Sequence, residues 1–237
     1  MASIPGTRRR TVPAAKPVLG RQPRASRASA AAAQGRAATR TAPSPVRRGA
    51  AALFDRYRDQ SEDAITAEGI ERFCTDLGVS TLDPVVLVIA LRFGAARMGI
   101  FSREEFVTGM SSLGCDSTEK LRGKLEEMRA VLADPFAAKE VYVYTFQFAL
   151  DQGQRCLPKE LCIELWKLLL RGHFLLLDEW IAFAEKRAKD MISSDTWMML
   201  WEFATEVNSD LSNYDEDSAW PVLMDEFVEV IRSGRKT

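Results

Sequence analysis

At 237 residues, 46% of them hydrophobic and 27% charged, the chain can bury a substantial core in one or two domains. Its longest apolar run, Val85 to Leu91, is much too short to span a bilayer. The net charge of −1 hides a split, because residues 1–49 carry eleven Lys/Arg and no acid; the acidic remainder favours basic protein partners and disfavours nucleic acid.

Residues 1–50 are rich in Ala, Arg, Pro and Ser and contain no aromatic residue, so they are expected to form a disordered basic tail. Beside a plain tail or one that touches nucleic acid weakly, Arg8, Arg9 and Arg10 could serve nuclear import, which would give a nuclear and cytoplasmic location. The same acid-free start also resembles an organelle transit peptide, and that destination stays open. No secretory pattern follows Met1 and the second residue is Ala2, so no membrane attachment is expected.

The body, residues 51–233, reads as all-α, with 234–237 as a short tail. Thr66 opens a helix carrying Ile70, Phe73 and Leu77, and Gly78 stops it. Asp83 and Pro84 open an apolar helix over Val85–Ala95. Ser102 and Glu105 make a capping box before Phe106; Asp116 and Glu119 make another, opening a helix through about Leu132. Asp134-Pro135 breaks it, and Tyr142, Phe146 and Ala149 mark one face of the next. Further helices are expected from Pro158 to Leu170, from Asp178, from Asp195 through about Leu211, and over Pro221–Ile231. The only strand-like stretch is an ambiguous Val141–Tyr144.

Tight helix–loop–helix units in the first half suggest EF-hand-like pairs. Calcium needs side-chain oxygens at loop positions 1, 3, 5 and 12, with an aliphatic residue usual at 8. Placing Ile65 at position 8 puts Arg58, Gln60, Glu62 and Gly69 at those four positions. Placing Phe101 there puts Gly94, Ala96, Met98 and Glu105 at them. Neither loop can build a carboxylate cage, so no metal or other cofactor is expected.

Cys74, Cys115, Cys156 and Cys162 show no CxxC spacing and read as reduced thiols. Cys115 lies just before a helix start, where a thiolate could be stabilised. The lone His173 follows a helix-ending glycine without a nucleophile in register. No active site is expected.

The end of the chain is the most specific part. An acidic loop runs into Ala219-Trp220-Pro221, and a helix follows with Leu223, Phe227, Val230 and Ile231 on its expected core face and Asp225, Glu226 and Glu229 elsewhere. This gives a small acidic surface held by a buried tryptophan, suited to a basic partner.

The wording there, with GMSSLGCDSTEKL (109–121), DTWMMLWEF (195–203) and FSREEF (101–106), resembles the defective-in-cullin-neddylation, or DCN1-like, family and its PONY (potentiating-neddylation, DCUN1) domain. The resemblance runs from about Leu53 to Arg232. It implies a non-catalytic co-ligase that holds a cullin and the neddylation E2 together and serves the RING subunit only indirectly. It also implies that Asp195, Ala219 and Asp225 grip the basic C-terminal domain of a cullin. Ile70, Val86, Ile89, Ala90, Phe93, Phe101, Phe148 and Leu168 then match a pocket for the N-acetylated methionine of the E2. The chain departs from the family at Gly99, where animal members can carry cysteine. The rival reading from the residues is an EF-hand-like signalling adaptor unrelated to cullins. A cysteine ligase is the enzymatic rival.

Overall fold

In the computed structural model, residues 42 and 44–235 are described, and they contain eleven helices and two two-stranded antiparallel ladders. The expected tail lies outside them as far as residue 41. Its expected end at residue 50 is corrected, because helix α1 already begins at Pro45 and runs to Tyr57. Ser44 caps it, accepting a hydrogen bond from the Arg47 amide at 3.2 Å, and Pro45 fills the first turn, where its missing N–H costs nothing. Ala50, Phe54 and Tyr57 then form a buried stripe at helical spacing. No described helix is long and apolar enough to cross a membrane.

The first half is two helix–loop–helix units. Strand β1 (Ala64–Ile65) links α1 to α2 (Ala67–Leu77); β2 (Phe101–Ser102) links α3 (Val85–Phe93) to α4 (Arg103–Ser112). Ile65 pairs with Phe101 across the ladder, so the two residues aligned above to position 8 face each other. Both α2 and α3 end on a left-handed glycine, Gly78 and Gly94. Each glycine lets the chain fold back so that the amides of Val79 and Ala95 reach Cys74 and Ala90 carbonyls at 3.0 Å. Helix α3 is therefore two residues shorter than expected. The Ser102–Glu105 capping box forms as read.

The expected helix from Asp116 to Leu132 is two: α5 (Thr118–Arg122), capped by Ser117, and α6 (Leu125–Ala133). Asp134 caps α7 (Pro135–Ala149), which absorbs the ambiguous Val141–Tyr144.

The second half repeats the paired-loop design, which the sequence reading missed. Strand β3 (Cys156–Pro158) precedes α8 (Lys159–Leu169); after α9 (Leu177–Arg187), β4 (Met191–Ser193) precedes α10 (Ser194–Glu206), and Leu157 pairs with Ile192. Ile65, Phe101, Leu157 and Ile192 each stand two residues before a helix start. That regularity was the available signal. Helix α10 stops five residues short of the expected Leu211, and α11 covers Val222–Gly234.

Helix α7 joins the halves. Its Tyr144 hydroxyl donates to the Ala95 carbonyl at 2.7 Å, and its Phe148 carbonyl accepts from the Met98 amide at 2.8 Å. Tyr142 stacks on Trp197 at 4.5 Å, and the two exchange hydrogen bonds: Tyr142 OH to the Trp197 carbonyl at 2.8 Å, Trp197 Nε1 to the Tyr142 carbonyl at 3.1 Å. These reciprocal bonds satisfy two polar groups that would otherwise be costly in a core.

Candidate functional site

Two surfaces stand out. The first is built at the N-terminal turns of α10 and α11. Ser193 accepts from the Thr196 amide at 3.1 Å and starts α10, so Asp195 stands exposed in its first turn, at the positive end of the helix dipole. Pro221 is the cap residue of α11, one position earlier than expected, and Asp225 is exposed in the first turn. The core face of α11 is made by Met224, Phe227 and Val228, with Leu223 and Ile231 half-buried; Val230, expected in the core, is exposed.

The intervening acidic loop is tied down at many points. Asn213 donates to the Glu206 carbonyl at 2.8 Å and accepts from the Asn208 amide at 2.7 Å. Asp215 accepts from the Asp217 amide at 3.0 Å and the Ser218 hydroxyl at 2.9 Å, and Arg232 pairs with Glu216. Leu211 is buried at φ 61°, a left-handed conformation unusual for a leucine that the surrounding bonds hold in place. Ala219 is exposed at the end of this loop. Trp220 is half-buried rather than buried, with Phe203 at 5.7 Å and Tyr214 at 6.1 Å. The Tyr214 hydroxyl donates to Asp225, and burial, followed by this bond, pushes its pKa upward.

Met191, Ile192 and Thr196 on one side, with Pro221, Val222, Leu223 and Glu226 on the other, line a shallow depression of about 310 Å³. The turns carrying Asp195 and Asp225 thus border one concavity. Arg187 and Lys189 also line it, so the neighbourhood is mixed in charge.

The second surface is a cavity of about 520 Å³ between α2, α3, the β2 loop, α7 and α8. Of the eight residues matched to a pocket, Ile70, Val86, Ala90, Phe101, Phe148 and Leu168 line it. Ile89 and Phe93 do not. Ile89 is rotated by one residue from Ala90 and is fully buried; Phe93 packs at 5.5 Å against both Phe101 and Phe106. They form part of the core behind the lining. Leu87, Met98, Ile100, Leu161 and Leu165 extend the apolar wall, and Leu82 stands at it 72% exposed. Their roles were hidden because the approach of α8, which carries Leu161 and Leu165, to the segments carrying Leu87, Met98 and Ile100 is set only by the fold. Gly99 lines the cavity at φ 80°, with open space where a Cβ would stand.

Cys74, Cys115 and Cys162 are buried, whereas Cys156 and His173 are half-buried. Burial pushes Cys74 up to about 11 and Cys162 up to about 12. It also raises Cys115, against the expectation of a stabilised thiolate; its thiol lies 3.5 Å from the Leu113 carbonyl. His173 holds the Leu132 carbonyl at 2.8 Å through Nε2 and sits 5.2 Å from the Trp201 ring, a tie between α6 and the turn after α8. What the two surfaces can do is bind: one by charge, the other by enclosing an apolar group.

Residues 120–230 match the family model described as Cullin binding. Asp195, Ala219 and Asp225 fall inside that stretch; Ile70, Val86, Ala90 and Phe101 fall before it. The chain is 40% identical over 185 residues to DCN1-like protein 4 of Drosophila melanogaster, covering 78% of this chain and 75% of that protein. It is 40% identical over 190 residues to Defective in cullin neddylation protein 1 of Yarrowia lipolytica, covering 78% of each. It is 43% identical over 190 residues to DCN1-like protein 3 of Xenopus laevis, covering 78% of this chain and 63% of that one.

Proposed function

This chain belongs to the DCN1-like family of cullin-binding proteins, and from that premise we propose that it is a non-catalytic co-ligase for cullin neddylation. It docks a basic cullin C-terminal domain on the acidic turns at Asp195, Ala219 and Asp225. It takes the acetylated N-terminal methionine of the neddylation E2 into the cavity between α3 and α8. The reactive thioester stays on the E2 and is activated by the RING subunit. Holding cullin and E2 on one body raises their effective concentration and restricts their orientations, which lowers the entropic part of the barrier.

The single observation that carries this reading is the coexistence, on one folded body, of exposed aspartates at two helix starts and a part-open apolar cavity. Full burial of a methionine side chain is worth roughly 1.5–3 kcal/mol. Acetylation removes the ammonium charge whose burial would oppose it. The small Ala219 side chain leaves room for a partner side chain to approach between the carboxylates. Arg8, Arg9 and Arg10 support a nuclear and cytoplasmic location, with an organelle transit peptide as the alternative reading of the same segment.

A reconstituted assay tests the proposal: cullin, RING subunit, E2 thioester and the modifier, with and without this chain. Faster cullin modification is expected with the wild-type protein. Little stimulation is expected with either Asp195→Lys plus Asp225→Lys or Ala90→Arg. Full stimulation by both variants would remove the reading.

A further inference from the structure

Three carboxylates line the apolar cavity: Glu71 on α2, Asp83 ahead of α3 and Glu164 on α8. Among the described residues, no lysine or arginine lines it. Asp83 is committed elsewhere, since it accepts from the Val85 amide at 2.9 Å and pairs with Arg129 at 2.8 Å. Glu164 is exposed and is met by Lys167 one turn along its own helix at 2.9 Å, an exposed pair of the kind that exchanges partners at little cost. Glu71 is exposed on α2, one residue from the lining Ile70. Glu71 and Glu164 thus present negative charge to whatever chain leaves the apolar interior for solvent.

We propose that Glu71 and Glu164 are specificity-determining residues of this pocket. They select an incoming chain that has a lysine or arginine within a few residues of its buried, apolar N-terminal residue. The inference rests on the reading of the cavity as a peptide pocket. An inserted N-terminal side chain fills the apolar interior, and the following residues must pass the rim. An extended chain advances about 3.3 Å per residue, so the second to fourth residues run through the zone these carboxylates border. A basic side chain there gains opposite charge without burying its own ammonium group. An acidic one meets like charge at two exposed carboxylates, an interaction of the modest size usual at a surface. Apolar fit therefore sets affinity, and the rim discriminates among apolar N-termini.

Two acetyl-methionine peptides, identical except for Lys or Glu as the third residue, are titrated into the full chain by fluorescence polarisation at low and high salt. The Lys peptide should bind roughly two- to fivefold more tightly per carboxylate engaged, and the gap should narrow at high salt. Glu71→Lys combined with Glu164→Lys should reverse the preference and leave the affinity of a third peptide, with Ala at that residue, nearly unchanged. Equal binding of the Lys and Glu peptides overturns the rim assignment and leaves the pocket reading standing. Binding of none of the peptides overturns both. Loss of the Ala peptide in the double variant would mean that the two lysines disturb the shape of the pocket; Glu71→Gln with Glu164→Gln, which keeps size and polarity, should then abolish the preference for the Lys peptide, and a preference retained in that variant overturns the assignment.

Discussion

Asp225 has two jobs that one substitution can separate. Its carboxylate accepts the Tyr214 hydroxyl, which helps to hold the loop before α11, and in the proposed docking it also offers charge to the cullin. Asp225→Asn keeps an acceptor for Tyr214 and removes the charge. It should leave the thermal midpoint near wild type and weaken cullin association, as read by calorimetry. Asp225→Lys removes both functions and should also lower the midpoint, since stranding a part-buried hydroxyl costs about 1–3 kcal/mol. Gly109 makes a second residue-scale case. A Cβ added there would lie 2.3 Å from the Phe93 ring, so Gly109→Ala forces α3 and α4 apart and should cost about 1–3 kcal/mol in urea unfolding. The buried thiols supply a pH test. Cys74 and Cys162 hold their protons in the folded state up to about 11 and about 12, whereas an unfolded thiol loses its proton near 8.5. Above that value the unfolded chain binds fewer protons than the folded one. Stability is therefore whole below it and declines as pH rises towards the folded values. Denaturant midpoints measured at increasing alkaline pH should fall, and less steeply in Cys162→Ala.

Among the elements, α1 carries the clearest consequence. A truncated chain beginning at residue 42 keeps Ser44, Pro45 and the whole helix. One beginning at residue 51 loses the cap, the first turn and the fully buried Ala50. The shorter chain should be destabilised by roughly 2 kcal/mol, from about 1 for the cap and about 0.8 for a buried methyl-sized group. Differential scanning of the two truncations measures this directly. The same element shows where reading a sequence stops. Composition assigned Pro45–Ala50 to the basic tail, since Arg47 and Arg48 continue its charge and no aromatic residue occurs before Phe54. The signal for helix was the Ser44-Pro45 start, a local cap easily lost in a Pro- and Ser-rich run. Most helix bounds set by local chemistry were legible, as at Thr66 to Gly78, Ser102 with Glu105, and Asp134-Pro135, with the start of α1 and the Gly94 end of α3 as exceptions. Those set by distant groups were not. Asn213 reaches back to the Glu206 carbonyl to finish α10, and Arg122 donates to the Leu77 carbonyl at 3.0 Å where α5 stops. Helical periodicity contains neither bond.

For the whole molecule, the candidate surfaces divide along the same line. The exposed aspartates of the α10 and α11 turns could be placed from caps and resemblance alone. The cavity could be named only in part, because its lining comes from five segments that pack through the core. Hence Ala90 lines it and its neighbour Ile89 does not. The two surfaces use separate elements, α10–α11 against α2–α3–α8. Ala90→Arg should therefore leave cullin affinity unchanged, and Asp195→Lys should leave acetyl-peptide affinity unchanged. Their effects on the separate binding steps should add within roughly 0.5 kcal/mol. Cullin association should weaken with salt and peptide insertion much less, since only the first is driven mainly by exposed charge.

The tryptophans give these two events different optical signatures. Trp166, Trp180, Trp197 and Trp201 are buried, and none of the five tryptophans lines the apolar cavity. Trp220 alone is part-exposed, and it follows Ala219 directly. A partner settling on that surface changes the solvent around one indole and shifts the emission of the intact protein. A peptide entering the cavity leaves every indole in its original surroundings. Unlabelled protein in a fluorimeter thus reports one binding event and stays dark to the other, and Trp220→Phe should silence the signal.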